Sequence, residues 1–201
     1  MAVGLNSNEL VGLLVATSFA AGLNVYATVG TLGLLAHTGV LALPVPLRLL
    51  ANWWVILASV ILFLVEFFAD KVPFFDLLWN ALQTFVRVPV AALIAYGATS
   101  QLTPGKQLLA AVIGGAIALA AHGGKTAMRA AVTASPEPLS NAALSLGEDV
   151  LAVLLTTFAT RHPYSAATIA CVFVAMIIFL TRRVVRALRN LFRDAAREFS
   201  A

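Results

Sequence analysis

The chain has 201 residues, of which 61% are hydrophobic and 11% are charged, and its mean hydropathy is +0.93. An ordinary soluble domain has about 25% charged residues, so this chain has too few to cover a water-exposed surface. The composition excludes a soluble globule, a disordered chain and a nucleic-acid-binding domain. It predicts an all-α, multi-pass bundle of membrane helices.

About six membrane segments are predicted within residues 1–181, three in each half of the chain. The segments of the first half (residues 8–99) are 10–36, 49–68 and 74–98, and those of the second half (residues 106–181) are 107–134, 141–159 and 165–181. Loops rich in proline or glycine separate most of them, which is the usual signal for a chain reversal.

Three of these segments contain residues that interrupt a regular helix. The first segment would be about 40 Å long as a helix, whereas the hydrocarbon core is about 30 Å thick, so it either tilts strongly or breaks at residues 21–24. In the third segment Pro89 removes a backbone donor, which favours two short pieces, 74–86 and 89–98. The fourth segment is expected to break at residues 122–124, which include two glycines.

Short sequence similarities between the two halves predict an internal repeat. Residues 21–24 interrupt the first segment as residues 121–124 interrupt the fourth, and residues 69–73 end the second segment as residues 159–163 end the fifth. Because each half has an odd number of crossings, the second copy would be inverted, as in many secondary transporters. Six crossings, with most basic residues on the side of the tail, predict that both termini are cytoplasmic.

Nine ionisable residues lie inside or beside these segments, where an unpaired charge costs at least about 2.5–3.5 kcal/mol. They are Glu66, Asp70, Lys71, Asp76, Arg87, Lys125, Arg129, Glu148 and Asp149. Such side chains need a partner or a wet cavity, so we expect them to gather near the midplane and to bind a solute or a coupling ion. Asp70 and Lys71 are alternatively interfacial loop charges. Glu148 and Asp149 alternatively form static ion bridges with the basic residues.

Two asparagines complete the set of candidate binding residues. Asn24 lies at the predicted break of the first segment, and Asn141 opens the fifth segment. Polar side chains in membranes commonly cap helices or form hydrogen bonds between them, and the sequence favours this structural role over solute binding for both.

Residues 123–129 carry the most specific local chemistry. If a helix restarts after Gly123 and Gly124, its free amide groups and the positive end of its dipole favour an anion. Lys125 and Arg129 are four residues apart and add two positive charges on one face. This pattern predicts a site for a carboxylate or a phosphate, and its alternative is a basic cytoplasmic loop.

The sequence contains no recognisable catalytic or metal-binding pattern. His37, His122 and His162 are far apart and lack the spacing of metal ligands. Neither a nucleophile elbow nor a His-Glu-x-x-His motif is present. We therefore expect no enzymatic activity, no metal and no cofactor.

Residues 182–201 predict a basic amphipathic helix on the cytoplasmic side. It contains six arginines: Arg182, Arg183, Arg186, Arg189, Arg193 and Arg197. Each arginine near an anionic leaflet gains about 1 kcal/mol, so the tail predicts contact with anionic lipids. Its simplest role is to anchor the topology.

Several polar and charged motifs within apolar segments resemble those of one bacterial family. The motifs are residues 20–28 (AAGLNVYAT), 66–73 (EFFADKVP), 76–80 (DLLWN), 83–87 (QTFVR), and 140–141 (SN) followed by 145–149 (SLGED). On these motifs the chain resembles an uncharacterised family of bacterial integral membrane proteins, domain-of-unknown-function family 4126. The resemblance implies a multi-pass protein of the bacterial inner membrane, and it implies no substrate and no catalytic residue.

Two functions fit these features. The first is a small secondary transporter that moves a small solute or an anionic lipid, coupled to protons or cations through the intramembrane carboxylates. The second is a non-transporting membrane module that stabilises a partner complex or binds lipid. A homodimer is plausible in either case, because 201 residues form a thin wall around a pathway.

Overall fold

The computed structural model describes residues 6–69, 73–133 and 138–198. The described residues form seven α-helices and a short 3-10 helix, Val45–Ala51. The α-helices are α1 (Ser7–Leu23), α2 (Val25–His37), α3 (Trp53–Ala69), α4 (Pro73–Ala98), α5 (Pro104–Thr133), α6 (Pro138–Arg161) and α7 (Pro163–Glu198). The predicted all-helical class is confirmed.

Length and composition identify the helices that can cross a membrane. Among the described residues, α4, α5, α6 and α7 each contain an apolar stretch of 20 or more residues, while the 3-10 helix and α3 form a fifth candidate that bends by 61°. Helices satisfy their own backbone groups, which is why such sequences fold this way in lipid. A multi-pass membrane protein is thus supported, whereas six crossings are not confirmed.

The distribution of side chains is the reverse of that in a soluble protein. Large apolar side chains such as Trp54, Phe85 and Leu93 are exposed on the outer surface, while Glu66 and Arg87 are fully buried. A bilayer requires this pattern, since lipid contacts apolar groups and charges must be enclosed by protein.

Helices α1 and α2 form a hairpin whose tip is Asn24. The backbone of Asn24 is extended (φ −149°), so the helix stops there and a new one begins. One small cavity is lined both by Leu10 and Leu13, near the start of α1, and by Leu43 and Pro44, which follow α2. The outer ends of the two helices therefore lie at the same end of the bundle. Of the two alternatives for the first segment, a strong tilt or a break at residues 21–24, the structure shows the break.

Helix α1 runs parallel to both α5 and α7. Along α5, Ser18 lies against Gly114 and Gly22 lies against Ala118, and Gly12 packs on Pro163 at the start of α7. Inverted copies would place α1 and α5 in opposite directions, so the inverted repeat is not confirmed. Because α7 begins at the same end as α1 and continues into the tail, the chain's first and last helical residues lie at opposite ends of the bundle. Cytoplasmic placement of both termini is not confirmed either.

Two predicted helix breaks are wrong. Helix α4 is continuous through Pro89, which is exposed on its outer face, so the ring does not disturb the packing between helices. Helix α5 is continuous through residues 122–124. A Cβ at Gly124 would lie 2.7 Å from Ile177 of α7, so this glycine allows two helices to approach closely. No helix restarts there, and the predicted anion site at a helix N-terminus is therefore wrong.

Candidate functional site: a buried ionic network at the hairpin tip

Five of the predicted site residues meet in the interior of the bundle. They are Glu66 of α3, Arg87 of α4, Lys125 and Arg129 of α5, and Glu148 of α6, and none is more than 6% exposed. They lie close to the middle of the long helices α4 and α6, at the level of the hairpin tip. These contacts show that ionised residues from distant parts of the chain converge, and their predicted binding of a solute or a coupling ion stays a prediction.

Arg87 links the hairpin tip to α3 and α5. Its guanidinium forms a salt bridge with Glu66 and donates hydrogen bonds to the carbonyl oxygens of Gly22 (3.1 Å) and Leu23 (2.9 Å). The last carbonyls of a helix lack partners within that helix, and here α1 ends at Leu23. The planar guanidinium, with five donors, satisfies them while it also neutralises a carboxylate.

Lys125 lies between two carboxylates that belong to different helices. Its Nζ is 3.3 Å from Oε1 of Glu66 and 3.3 Å from Oε2 of Glu148, and it donates to the carbonyl of Leu23 at 3.1 Å. Ordinary charge-assisted bonds of this type measure about 2.7–2.9 Å. The ammonium is thus shared between its partners, and neither carboxylate binds it at the optimal distance.

Arg129 provides the second cation of Glu148. Its Nη2 lies 2.8 Å and its Nε 3.3 Å from the same oxygen, Oε2. Because Lys125 contacts this oxygen too, Glu148 joins two cations that are one helical turn apart on α5. The network therefore continues from α3, through the hairpin tip, to α6.

Asn24 and Asp149 form a second connection at the tip. The side-chain amide of Asn24 donates to Oδ1 of Asp149 at 2.8 Å, and its carbonyl oxygen accepts from the backbone N–H of Ala27 at 2.9 Å. Asn24 therefore caps α2 and joins the hairpin tip to α6, and these are the structural roles that the sequence predicts for it.

His122 is a site residue that the sequence analysis missed. Its Nδ1 accepts a hydrogen bond from Arg87 at 3.0 Å, because a guanidinium has donors alone. Its Nε2 therefore carries the proton and faces the carbonyl of Asn80 (3.1 Å) and the hydroxyl of Thr84 (2.8 Å). The signal was present in the spacing, since residues 122, 125 and 129 lie on one face of a helix.

Four predicted site residues are not placed by these contacts. Asp70 and Lys71 lie outside the described residues, and so do the side chains of Asp76 and Asn141. Nothing in the geometry tests their predicted roles. Within the described part of the chain, no group of three or more His, Cys, Asp or Glu side chains is arranged to hold a metal ion.

Several buried polar atoms of the network have no hydrogen-bond partner among the described residues. They are Oε2 of Glu66, Nε of Arg87 and Oε1 of Glu148. Leaving such an atom unsatisfied costs about 1–3 kcal/mol, and more when the group is charged. The network therefore has capacity for water or for the polar groups of a ligand.

Comparison with known proteins identifies a matching family. A family model described as Domain of unknown function (DUF4126) matches residues 11–183 and so includes the whole network. This confirms the resemblance found in the sequence. No curated protein and no solved structure matches.

Proposed function

The chain belongs to the family described as Domain of unknown function (DUF4126), and we propose that it is a small secondary transporter. It moves a small solute or an anionic lipid across the cytoplasmic membrane of a bacterium, coupled to protons or cations through Glu66 and Glu148. The observation that carries this proposal is the position of Lys125, whose ammonium is shared at 3.3 Å between these two carboxylates.

A shared ammonium makes the network sensitive to a single proton or cation. When one carboxylate is neutralised, its attraction to Lys125 disappears and the ammonium is drawn toward the other carboxylate. Glu66 is on α3 and Glu148 is on α6, while Lys125 also holds the carbonyl of Leu23. The hairpin tip would then move with Lys125 toward one wall of the bundle. Such a two-state element is what alternating access requires.

The solute would take up the donors and acceptors that the network leaves open. Nε of Arg87 offers a donor, and Oε2 of Glu66 and Oε1 of Glu148 offer acceptors, all within a region buried from solvent. A solute with an anionic group and a hydroxyl or amine group would match both kinds of atom. Coupling follows, since the carboxylates that bind the solute are those that exchange the proton or cation.

The positive-inside rule supports one orientation of the bundle. The end that contains the tail carries six arginines after residue 181, whereas Arg48, Lys106 and Arg161 lie near the other end. We therefore place the tail in the cytoplasm, where its arginines would contact anionic lipids. The start of α1 lies at the opposite end of the bundle, so it would face outward.

The second candidate function is a static membrane module that stabilises a partner complex. The favourable observation is that all three basic side chains of the network already contact a carboxylate. Arg87 contacts Glu66, Arg129 contacts Glu148, and Lys125 contacts both carboxylates. Buried ion pairs of this kind hold helices in register without moving. A static module needs no access of water to the network, and this difference separates the two functions.

Substituted-cysteine accessibility tests the proposal without knowledge of the solute. Ser145 lies one helical turn before Glu148 and is 1% exposed, so Ser145→Cys places a small thiol beside the network. The native cysteine is first removed by Cys171→Ser. We expect a membrane-impermeant thiosulfonate reagent to modify this thiol from both sides of the membrane in turn. If the thiol at residue 145 reacted from neither side, transport would be contradicted and the static module would be favoured.

The neighbouring variant Leu146→Cys is the matched control for this experiment. Leu146 is 54% exposed on the apolar exterior, so its thiol would face lipid and escape a water-soluble reagent. We expect Glu148→Gln to slow modification of the thiol at residue 145, and the thiol at residue 146 to remain unmodified with or without this substitution. This result would show that access of water to the network depends on the carboxylate of Glu148.

A further inference from the structure

A second feature of the molecule lies away from the ionic network. A cavity of about 320 Å³ is located between α1 and α5 at the end of the bundle where both helices begin. Its walls are apolar and include Val11, Leu14, Leu109 and Ile113. Lys106 is the one charged residue among those that line it in the described part of the chain. Ligand-binding pockets commonly begin at about 300 Å³, so this volume is large enough for part of a small amphiphile.

A second cavity lies next to the first, nearer the middle of the bundle. It has a volume of about 200 Å³, shares Val15 and Ile117 with the first and extends along α7 to Ile178. The first cavity, which runs along α5, is called the groove below, and the second lies beside it. Val11, Leu109 and Ile113 along the first cavity are about half exposed on the outer surface, so the groove opens sideways toward lipid.

The length of the groove matches one leaflet of a bilayer. From Lys106 to Ile117 the helix rises about 16 Å, at 1.5 Å per residue. Half of a hydrocarbon core is about 15 Å. Lys106 is the third residue of α5, at the end of a membrane-spanning stretch, which is the depth of the lipid headgroups.

We propose that this groove binds one acyl chain of an anionic phospholipid, whose headgroup phosphate pairs with Lys106. The apolar walls suit an acyl chain, and the length of the groove matches a lipid in one leaflet. The lysine at the mouth of the groove attracts a negatively charged headgroup. This binding site is independent of the transport proposal. Bound lipid would nevertheless affect the transport proposal, because Val11, Leu14 and Val15 belong to α1, one arm of the hairpin whose tip contacts the network.

Ser18 distinguishes an acyl chain from a polar ligand. It lies on the deep wall of the groove, is 1% exposed, and its hydroxyl has no partner among the described residues. An acyl chain offers this hydroxyl no acceptor, so Ser18→Ala leaves lipid binding unchanged or slightly stronger. A polar ligand that reached the hydroxyl would bind more weakly to the same variant.

Native mass spectrometry of the full-length protein with matched phosphatidylglycerol and phosphatidylcholine tests the proposal. The wild type is expected to retain phosphatidylglycerol preferentially, and Lys106→Gln to reduce that preference about fivefold. Ala110→Phe fills the groove and should remove bound lipid of either kind, whereas Leu108→Phe, on the exposed face of the same helix, should not.

The following outcomes would overturn the assignment. Equal retention of the two lipids by the wild type, or a preference that Lys106→Gln leaves intact, would exclude recognition of the headgroup by this lysine. Weaker binding in Ser18→Ala would indicate a polar ligand. A change in oligomeric state in Ala110→Phe, without loss of lipid, would make the groove an interface with a second copy of the chain. Lys106 is exposed, so its variant tests the proposal even if the phenylalanine variant does not fold.

Discussion

Asn24, at the tip of the α1–α2 hairpin, donates a hydrogen bond of 2.8 Å to Asp149 in the middle of α6. The two residues are 125 positions apart in the chain. The same asparagine ends α1 and caps α2 through the N–H of Ala27. One side chain therefore fixes where the hairpin turns and which helix its tip contacts.

Replacing Asn24 separates these two roles. Asn24→Ala removes the cap and the bond to Asp149, which together should cost about 2 kcal/mol of unfolding free energy. Asn24→Asp keeps a capping oxygen but places a second carboxylate against Asp149, so we expect it to be the less stable of the two variants. Thermal unfolding of the purified protein in detergent measures both.

The control for this comparison is Asn6, which caps α1 at the exposed end of the bundle. Asn6→Ala loses a cap and nothing else, so it should lower the melting temperature less than Asn24→Ala. If Asn24→Asp were as stable as the wild type, the contact with Asp149 would not contribute to the fold.

Close packing between α1 and α5 gives a second prediction. A Cβ at Gly22 would lie 2.4 Å from the carbonyl oxygen of Ala118 and 2.7 Å from the Cβ of Ala121. Backbone atoms of a long helix cannot shift far, so Gly22→Ala should separate the helices and disturb the carbonyl that Arg87 binds. We expect a loss of at least about 2 kcal/mol, as for other overpacked interiors.

Gly123→Ala is the matched control, because no atom lies within 4 Å of a Cβ at that position. Alanine is favoured over glycine in a helix by about 1 kcal/mol, so this variant should be neutral or slightly more stable. Melting curves recorded in the same detergent compare the two. Equal tolerance of alanine at both positions would contradict the close approach of α1 and α5.

The ion pair between Glu66 and Arg87 gives a third prediction. Removing one partner of a buried pair leaves a charge without compensation and costs about 3–5 kcal/mol, so Glu66→Gln and Arg87→Met should each be strongly destabilising. The double variant should lose less than the sum of the two. A double-mutant cycle on unfolding free energies measures the coupling, and additive losses would exclude a direct interaction.

Arg87→Lys is the conservative control for this cycle. One ammonium cannot reach the carboxylate, the two tip carbonyls and His122 at once, although it preserves the charge. We expect the lysine variant to recover part of the stability lost in Arg87→Met but not all of it. Full recovery would show that charge alone matters at this position.

The sequence predicted the network because charges within apolar segments must find partners, and Glu66, Arg87, Lys125 and Glu148 do so. The length of the first segment left a strong tilt and a break at residues 21–24 as alternatives, and the structure shows the break. The sequence could not show that the chain returns to the same end after Asn24, since a hairpin and a crossing have the same apolar composition.

The helix breaks predicted at Pro89 and at residues 122–124 are absent because of packing between helices. Proline and glycine weaken a helix locally, but tertiary packing decides whether the helix continues. At Pro89 the ring faces outward, and at Gly124 the missing side chain provides room for Ile177 of α7. Neither contact can be inferred from one sequence, because it depends on which helices become neighbours.

The proposed orientation gives the last prediction. Helix α1 begins at the end of the bundle where α7 begins, so Asn8 and Arg189 should lie on opposite sides of the membrane. Both positions are exposed. In a Cys171→Ser background, we expect Asn8→Cys to react with an impermeant maleimide in cells whose inner membrane is intact. Arg189→Cys should react after that membrane is opened. If both thiols reacted only after the membrane was opened, both termini would lie in the cytoplasm. Helices α1 and α2 would then cross the bilayer together, and six crossings would be correct.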